Sequence, residues 1–327
     1  MDTQTCIVGI DVGGTTITSG LISPRGELID HFTRPTESEL GPDRAMENIL
    51  SSIGDIIARA GNLRVLGIGL GTPGAIDVKR GLVLYCAPNI PNWTGRQIKE
   101  PIERRFGLPV FVDNDAKCAV MGEATFGAGA GLNHVFVVTL GTGIGGGVVL
   151  NRRIHRGASF CAGEIGHAVV QIGGRRCPCG IEGHLEAYLS AKGIVGQVRD
   201  AAAAGRKTRL SEISGPGLEK LTAKMVLDAA REGEPLAREV IDLSCHYMGM
   251  ALAHFAMVFD PETMVLSGGI AQAWDVIFEP IQNAYERYLF YRQLRMAPIV
   301  PARLGFEAGM VGAAAMALVE LELDKQA

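Results

Sequence analysis

The sequence predicts an α/β protein built from two halves of similar topology. Strand patterns and amphipathic helical patterns alternate along the first half of the chain. One arrangement, strand then glycine turn then strand, occurs twice, in IVGIDVGGTTITSGLISPRGEL and again in HVFVVTLGTGIGGGVVLNRRIHRG. The length of 327 residues suits two domains of ordinary size.

The elements follow in order. Ile7 to Ile29 reads as a meander, its strands IVGID, TTITSGLI and GELID separated by glycine turns. Met46, Ile49, Ile53, Ile56 and Ala60 then recur at helical spacing, with Asp43 at the start and Gly61 at the end. RVLGIGLG is a buried strand, and a loop-rich stretch follows it. A short helix ends at Gly107, PVFVDND is a strand, and Ala116 to Phe126 is helical. After the repeated strand–turn–strand unit the chain is mostly helical from Leu185, with one long helix from about Leu236 to Phe259. The strand TMVLSGGI interrupts the helices, and the last helix starts near Gly309. The expected domains are a smaller one over 1–115, joined by the C-terminal helix at about 309–327, and a larger one over 116–308.

Composition narrows the function classes. The apolar fraction of 47% and charged fraction of 20% are those of a folded chain with a sizeable core. A net charge of -4 disfavours bulk attraction to nucleic acid or anionic lipid. The N-terminal MDTQTCIVGIDVGG has neither the basic segment nor the apolar run of a signal peptide, and no stretch offers the ~20 apolar residues of a membrane span. Seven cysteines, two of them in a C-x-C, favour a reducing compartment and metal binding over a disulfide framework. The expected location is cytoplasmic.

The glycine turns DVGGT (Asp11 to Thr15) and GTGIGGG (Gly141 to Gly147) each lie between strands. Glycines let backbone N–H groups converge on an anion, and Asp11 at a strand end could hold hydrated Mg2+. Either turn alone reads as a simple hairpin; two with matched flanks read as phosphate binding. GTGIGG also fits G-x-G-x-x-G, but VVLNRRI after it is a strand, whereas a dinucleotide site needs a helix there. A P-loop pattern is absent from the sequence.

FVDNDA ends a strand with Asp113, Asn114 and Asp115. Asp115 could accept a proton from a sugar hydroxyl, and Asn114 could bond neighbouring hydroxyls. Taken alone, Asp115 reads better as the cap of the following helix. His167, Cys177, Cys179 and His184 form a Cys2His2 set at spacings that suit tetrahedral Zn2+. With four protein ligands such a site is structural, the bland reading being buried thiols with unrelated histidines. Glu164 and Glu186 bracket the set. Cys6, Cys86, Cys118, Cys161 and Cys245 read as small apolar residues.

In order, DVGGT, GTPGAID, APNIPNW, FVDNDA, LGTGIGGGVVL, GEIGH, CPCGIEGHLEAY and DPETMVLSGGI resemble the ROK family, which contains bacterial glucokinases, other hexose and N-acetylhexosamine kinases, and sugar-responsive repressors. The resemblance spans nearly the whole chain. It implies an actin-like, RNase H-like fold of two α/β domains with ATP in the cleft between them. It implies that Asp11, Gly13, Gly14 and Thr15, with Gly141, Thr142, Gly143 and Gly145, bind the ATP phosphates, and that Gly268 and Gly269 lie near the adenosine. By the same resemblance Gly74 (through its backbone), Asn114, Glu164, His167 and Glu186 hold the sugar, Asp115 is the base, and the protein is a homo-oligomer, a dimer or tetramer.

One departure stands out: the family usually has a cysteine where this chain has His184. Imidazole is a good zinc ligand, so the site is expected to survive with altered geometry. The HLEAY and APNIPNW stretches look most like the glucokinase branch, so the expected activity is ATP-dependent phosphorylation of glucose at its C6 hydroxyl. Kinases for fructose, mannose or N-acetylmannosamine are the near alternatives. A sugar-sensing repressor is the distant one, disfavoured because Ile7 already lies in the first strand. Some relatives use polyphosphate; the cysteine cluster favours ATP.

Overall fold

In a computed structural model the described residues are 5–86, 90–290, 293 and 296–324. The chain runs β1 (Thr5–Val12), β2 (Thr16–Ile22), β3 (Leu28–Pro35), α1 (Pro42–Ala58), β4 (Arg64–Thr72), β5 (Ala75–Asp77), β6 (Leu82–Tyr85), α2 (Lys99–Phe106), β7 (Val110–Asn114) and α3 (Asp115–Thr125). It continues through β8 (Val135–Leu140), β9 (Ile144–Leu150), β10 (Arg153–Ile154), α4 (Glu186–Leu189), α5 (Ala191–Ala203), α6 (Leu210–Ser214), α7 (Ala223–Arg231) and α8 (Pro235–Phe259). It ends with β11 (Thr263–Ser267), α9 (Trp274–Tyr288), β12 (Ile299–Pro301) and α10 (Ala308–Asp324).

Two five-stranded sheets have the orders β3-β2-β1-β4-β7 and β10-β9-β8-β11-β12. In each, an antiparallel hairpin leads into parallel neighbours. The expected likeness of the two halves is therefore a likeness of sheet topology. A small hairpin, β5-β6, stands apart.

The chain divides into two compact units, the first comprising 1–133, 147–163 and 303–327 and the second 134–146 and 164–302. This differs from the boundary expected near Asp115. The reason is packing: α3 lies against α10, with Gly122 about 3.0 Å from Ala308 and Gly312 at its missing Cβ. Between them Glu123 is fully buried, its carboxylate accepting from the N–H groups of Ala128, Arg303 and Leu304. A strand-to-helix transition in sequence is not a domain boundary when the helix finds its partner nearly 200 residues later.

In the first unit, period two in β1 sends Val8, Ile10 and Val12 toward Met46, Ile49, Ile53 and Ile56 of α1. Ile7, on the other face, packs with Met310, Val311 and Ala314 of α10. The same alternation carries Asp11 to the α10 face. There α10 approaches so closely that a Cβ on Gly9 would fall 2.2 Å from the Met310 carbonyl oxygen. In the second unit, Phe136 of β8 stacks on Phe255 and Phe259 of α8. Among the described residues no helix is long and apolar enough to cross a membrane.

Candidate active site

Asp11 sits near the end of β1, paired with Thr18 of β2 and Gly71 of β4. Burial, helped by the nearby Asp115 carboxylate, raises its pKa to about 6. The turn that follows is tightly held. Gly13 N–H donates to the Thr16 carbonyl at 2.8 Å. The Thr36 hydroxyl donates to the Gly13 carbonyl at 2.7 Å and the Ser38 hydroxyl to that of Gly14 at 2.5 Å. In a trans peptide the N–H points opposite its carbonyl. The N–H groups of Gly14 and Thr15 therefore point away from Thr36 and Ser38, where they can receive an anion.

The end of β7 resolves the ambiguity over Asp115. Asn114 caps α3, its Oδ1 accepting from Lys117 N–H at 3.2 Å, so Asp115 becomes the first helical residue rather than the cap. Its Oδ1 accepts from the Ala116 N–H. Asn114 Nδ2 donates to the Gly74 carbonyl at 3.1 Å, which joins two of the residues expected to hold a sugar. Gly74 has φ 109°, and a Cβ there would lie 2.4 Å from the Tyr85 carbonyl oxygen, so only glycine fits. Asp113 points elsewhere: it is buried, with Oδ2 2.7 Å from Arg156 Nε and Oδ1 accepting from Asn114 N–H. Of the APNIPNW loop, residues 87–89 lie outside the described residues. Its Trp93 is buried and donates Nε1–H to Thr72 Oγ1 at 2.9 Å, under the end of β4.

In the second unit, Gly141 N–H donates to the Gly143 carbonyl and Ala191 N–H to that of Gly141, which fastens the turn to α5. Ile144 N–H donates to Glu186 Oε2 at 3.0 Å, and Gly143 packs against the same carboxylate. Thr142 lies between Gly141 and Gly143 in the β8–β9 connection, and Gly145 is the second residue of β9. Gly268, at φ 93°, rests on the backbone of Leu140, the residue before the turn, so Gly268 and Gly269 follow β11 beside that turn. Glu164 is exposed, and its carbonyl accepts from the His167 N–H.

His167, Cys177, Cys179 and His184 offer ligand atoms that all lie within 4.8 Å of one another. His184 Nδ1 is 3.2 Å from His167 Nδ1 and 3.2 Å from Cys179 Sγ, and Cys177 Sγ is 3.9 Å from His167 Nδ1. Four atoms bound to one ion at roughly 2.0–2.3 Å in a tetrahedron lie 3–4 Å apart, so the set fits a single metal. The tight turn of Cys177 N–H to the Ile181 carbonyl and Gly180 N–H to the Cys177 carbonyl presents the thiols. Burial raises the Cys177 thiol to about 11 and lowers His184. Glu186 Oε1 lies 3.7 Å from Cys177 Sγ, so one carboxylate touches both the cysteine cluster and the glycine turn.

Sequence reasoning missed Thr36, Ser38, Lys117 and Arg156. The first two act through hydroxyls on backbone carbonyls and the last two through long-range pairs, and no local spacing signals either.

Two sheets of the same strand order, each opening on a glycine hairpin, define an actin-like ATPase fold. The sequence pattern of the ROK family matches residues 7–320, and the chain belongs to that family. It is 37% identical to a glucokinase of Halalkalibacterium halodurans over 93% of this chain and 92% of that one. The structure is similar to a ROK hexokinase of Thermus thermophilus, with TM-score 0.83 and 34% identity over 97% of this chain and 99% of that one. It is also similar to a ROK family glucokinase of Streptomyces griseus in complex with glucose and AMPPNP, with TM-score 0.78 and 32% identity over 98% of this chain and all of that one.

Proposed function

We propose that this protein is an ATP-dependent glucokinase that transfers the γ-phosphate of ATP to the C6 hydroxyl of glucose. The observation that carries this reading is the arrangement at the start of α3. Asn114 takes the cap, and Asp115 opens the helix beside Asp11. The similarity to glucokinases, one of them bound to glucose and an ATP analogue, supports the sugar and the donor.

Asp115 accepts the C6 hydroxyl proton as that oxygen attacks the γ-phosphorus and the β–γ bridging oxygen leaves with ADP. Asn114, the Gly74 backbone, Glu164, His167 and Glu186 hold the sugar hydroxyls. The backbone N–H groups of Gly14 and Thr15, and of Thr142 and Gly143, carry the phosphate charge, while Gly13, Gly141 and Gly145 shape the two turns, and Gly268 and Gly269 flank the adenosine. Ionised Asp11 would hold hydrated Mg2+, which supplies further charge neutralisation on the phosphates. His167, Cys177, Cys179 and His184 would hold a structural Zn2+, binding through Nδ1 of each imidazole and leaving Nε2 of His167 for the sugar. The working form is a cytoplasmic homo-oligomer.

A coupled ATP-to-ADP assay with Mg2+ tests the proposal against glucose, mannose, fructose, allose, N-acetylglucosamine and N-acetylmannosamine. Highest kcat/KM on glucose is the expected result. Turnover confined to another sugar would reassign the substrate, and no turnover by folded, metal-loaded protein would overturn the kinase reading.

A further inference from the structure

Two buried or half-buried cations tie the loop from Arg156 to Gly163 onto the acidic end of β7. Arg156 bonds Asp113 at 2.7 Å and reaches Glu320 at 3.0 Å with its other arm. Lys117, in the first turn of α3, is only 4% exposed, and its Nζ donates to the Phe160 carbonyl at 2.5 Å. Phe160 has φ 62°, a left-handed conformation that is uncommon and strained for a residue with a Cβ. Gly157, at φ 72°, and a bond from Ala162 N–H to the Arg156 carbonyl shape the rest of the loop.

Each feature is costly by itself. A buried ammonium needs acceptors, and a strained aromatic residue persists only where its surroundings hold it. Both costs meet in one hydrogen bond, in a loop that runs directly into Glu164. Lys117 also follows Asp115 by two residues on the same helical turn, so the bond joins that loop to the start of α3.

We propose that Lys117 is a positioning residue for sugar binding. Its ammonium clamps the Phe160 carbonyl and holds the Arg156–Gly163 loop against the start of α3, with the Arg156–Asp113 pair as the second tie. The clamp stands on the geometry; its consequence for sugar rests on the kinase reading.

The test pairs kinetics with limited proteolysis, because chymotrypsin cleaves after Phe160 if the loop is released. In Lys117→Met we expect cleavage at Phe160 about tenfold faster than in the parent and a hexose KM about tenfold higher, with ATP KM within about twofold. Lys117→Arg, which keeps the donor and the charge, should recover much of both. If Lys117→Met does not fold, Lys117→Gln replaces it. Unchanged cleavage overturns the clamp whatever the activity. Faster cleavage with hexose KM unchanged, or with hexose and ATP KM rising together, overturns the positioning role. A parent protein that turns over no hexose overturns the kinase reading and the role in sugar binding, while the cleavage comparison still decides the clamp.

Discussion

Asp115 and Asp11 show how much one hydrogen bond decides. Because Asn114 accepts the capping bond, Asp115 can serve as base, and Asp115→Asn should lower kcat by about 10²–10⁴-fold while calorimetry shows glucose affinity near that of the parent. Near-parental turnover would assign the base elsewhere. Asp11 adds a pH signature. Its folded pKa of about 6 lies above the unfolded 3.8, so the folded state holds a proton that the unfolded state releases between those values. Stability should therefore fall as pH rises from about 4 to 6, by about 3 kcal/mol from this group. Urea unfolding across that range should show the drop, and Asp11→Asn should abolish it. Asp115→Asn removes one cause of the shift and should lower the midpoint.

At the scale of elements, the chain relies on single carboxylates that join segments distant in sequence. Glu123 ties α3 to the residues before α10 through the N–H groups of Arg303 and Leu304, and holds the turn after α3 through that of Ala128. Glu123→Ala would leave buried donors without partners and should cost about 3 kcal/mol or more, read as a lower denaturant midpoint. Glu186 joins the cysteine cluster to the β8–β9 turn. A Cβ on Gly143 would lie 2.5 Å from Glu186 Oε2, so Gly143→Ala must displace that carboxylate. The expected result is a rise in ATP KM of about tenfold, seen in the coupled assay; unchanged values for both substrates would mean that the turn tolerates the shift. Most elements were legible in the sequence: the spacing of Met46, Ile49, Ile53 and Ile56 predicts α1, and the left-handed Gly107 closes α2. The cap of α3 was not, since Asn114 and Asp115 are both good capping residues and only the backbone geometry chooses between them.

The molecule as a whole combines two sheets of one topology with a compact four-ligand cluster in the second unit. If that cluster holds zinc, elemental analysis should find one zinc per chain, retained in His184→Cys and lost in His184→Ala. Chelation should then lower Tm by about 5 °C or more, because metal binding contributes directly to folding. Sequence alone determined the strand and helix order, the recurrence of the glycine hairpin, the Cys2His2 set and the membership in a sugar-kinase family. The first three are written in local spacing: period two in strands, period 3.6 in helices, and short intervals between ligands; the family is carried by the resemblance of its ordered motifs. Tertiary structure decided which chain segments share a unit, that Asp113 pairs with Arg156 while Asn114 caps α3, and how Lys117 meets Phe160. Those outcomes depend on contacts across tens to hundreds of residues, where burial and charge select one partner among several that spacing leaves equivalent.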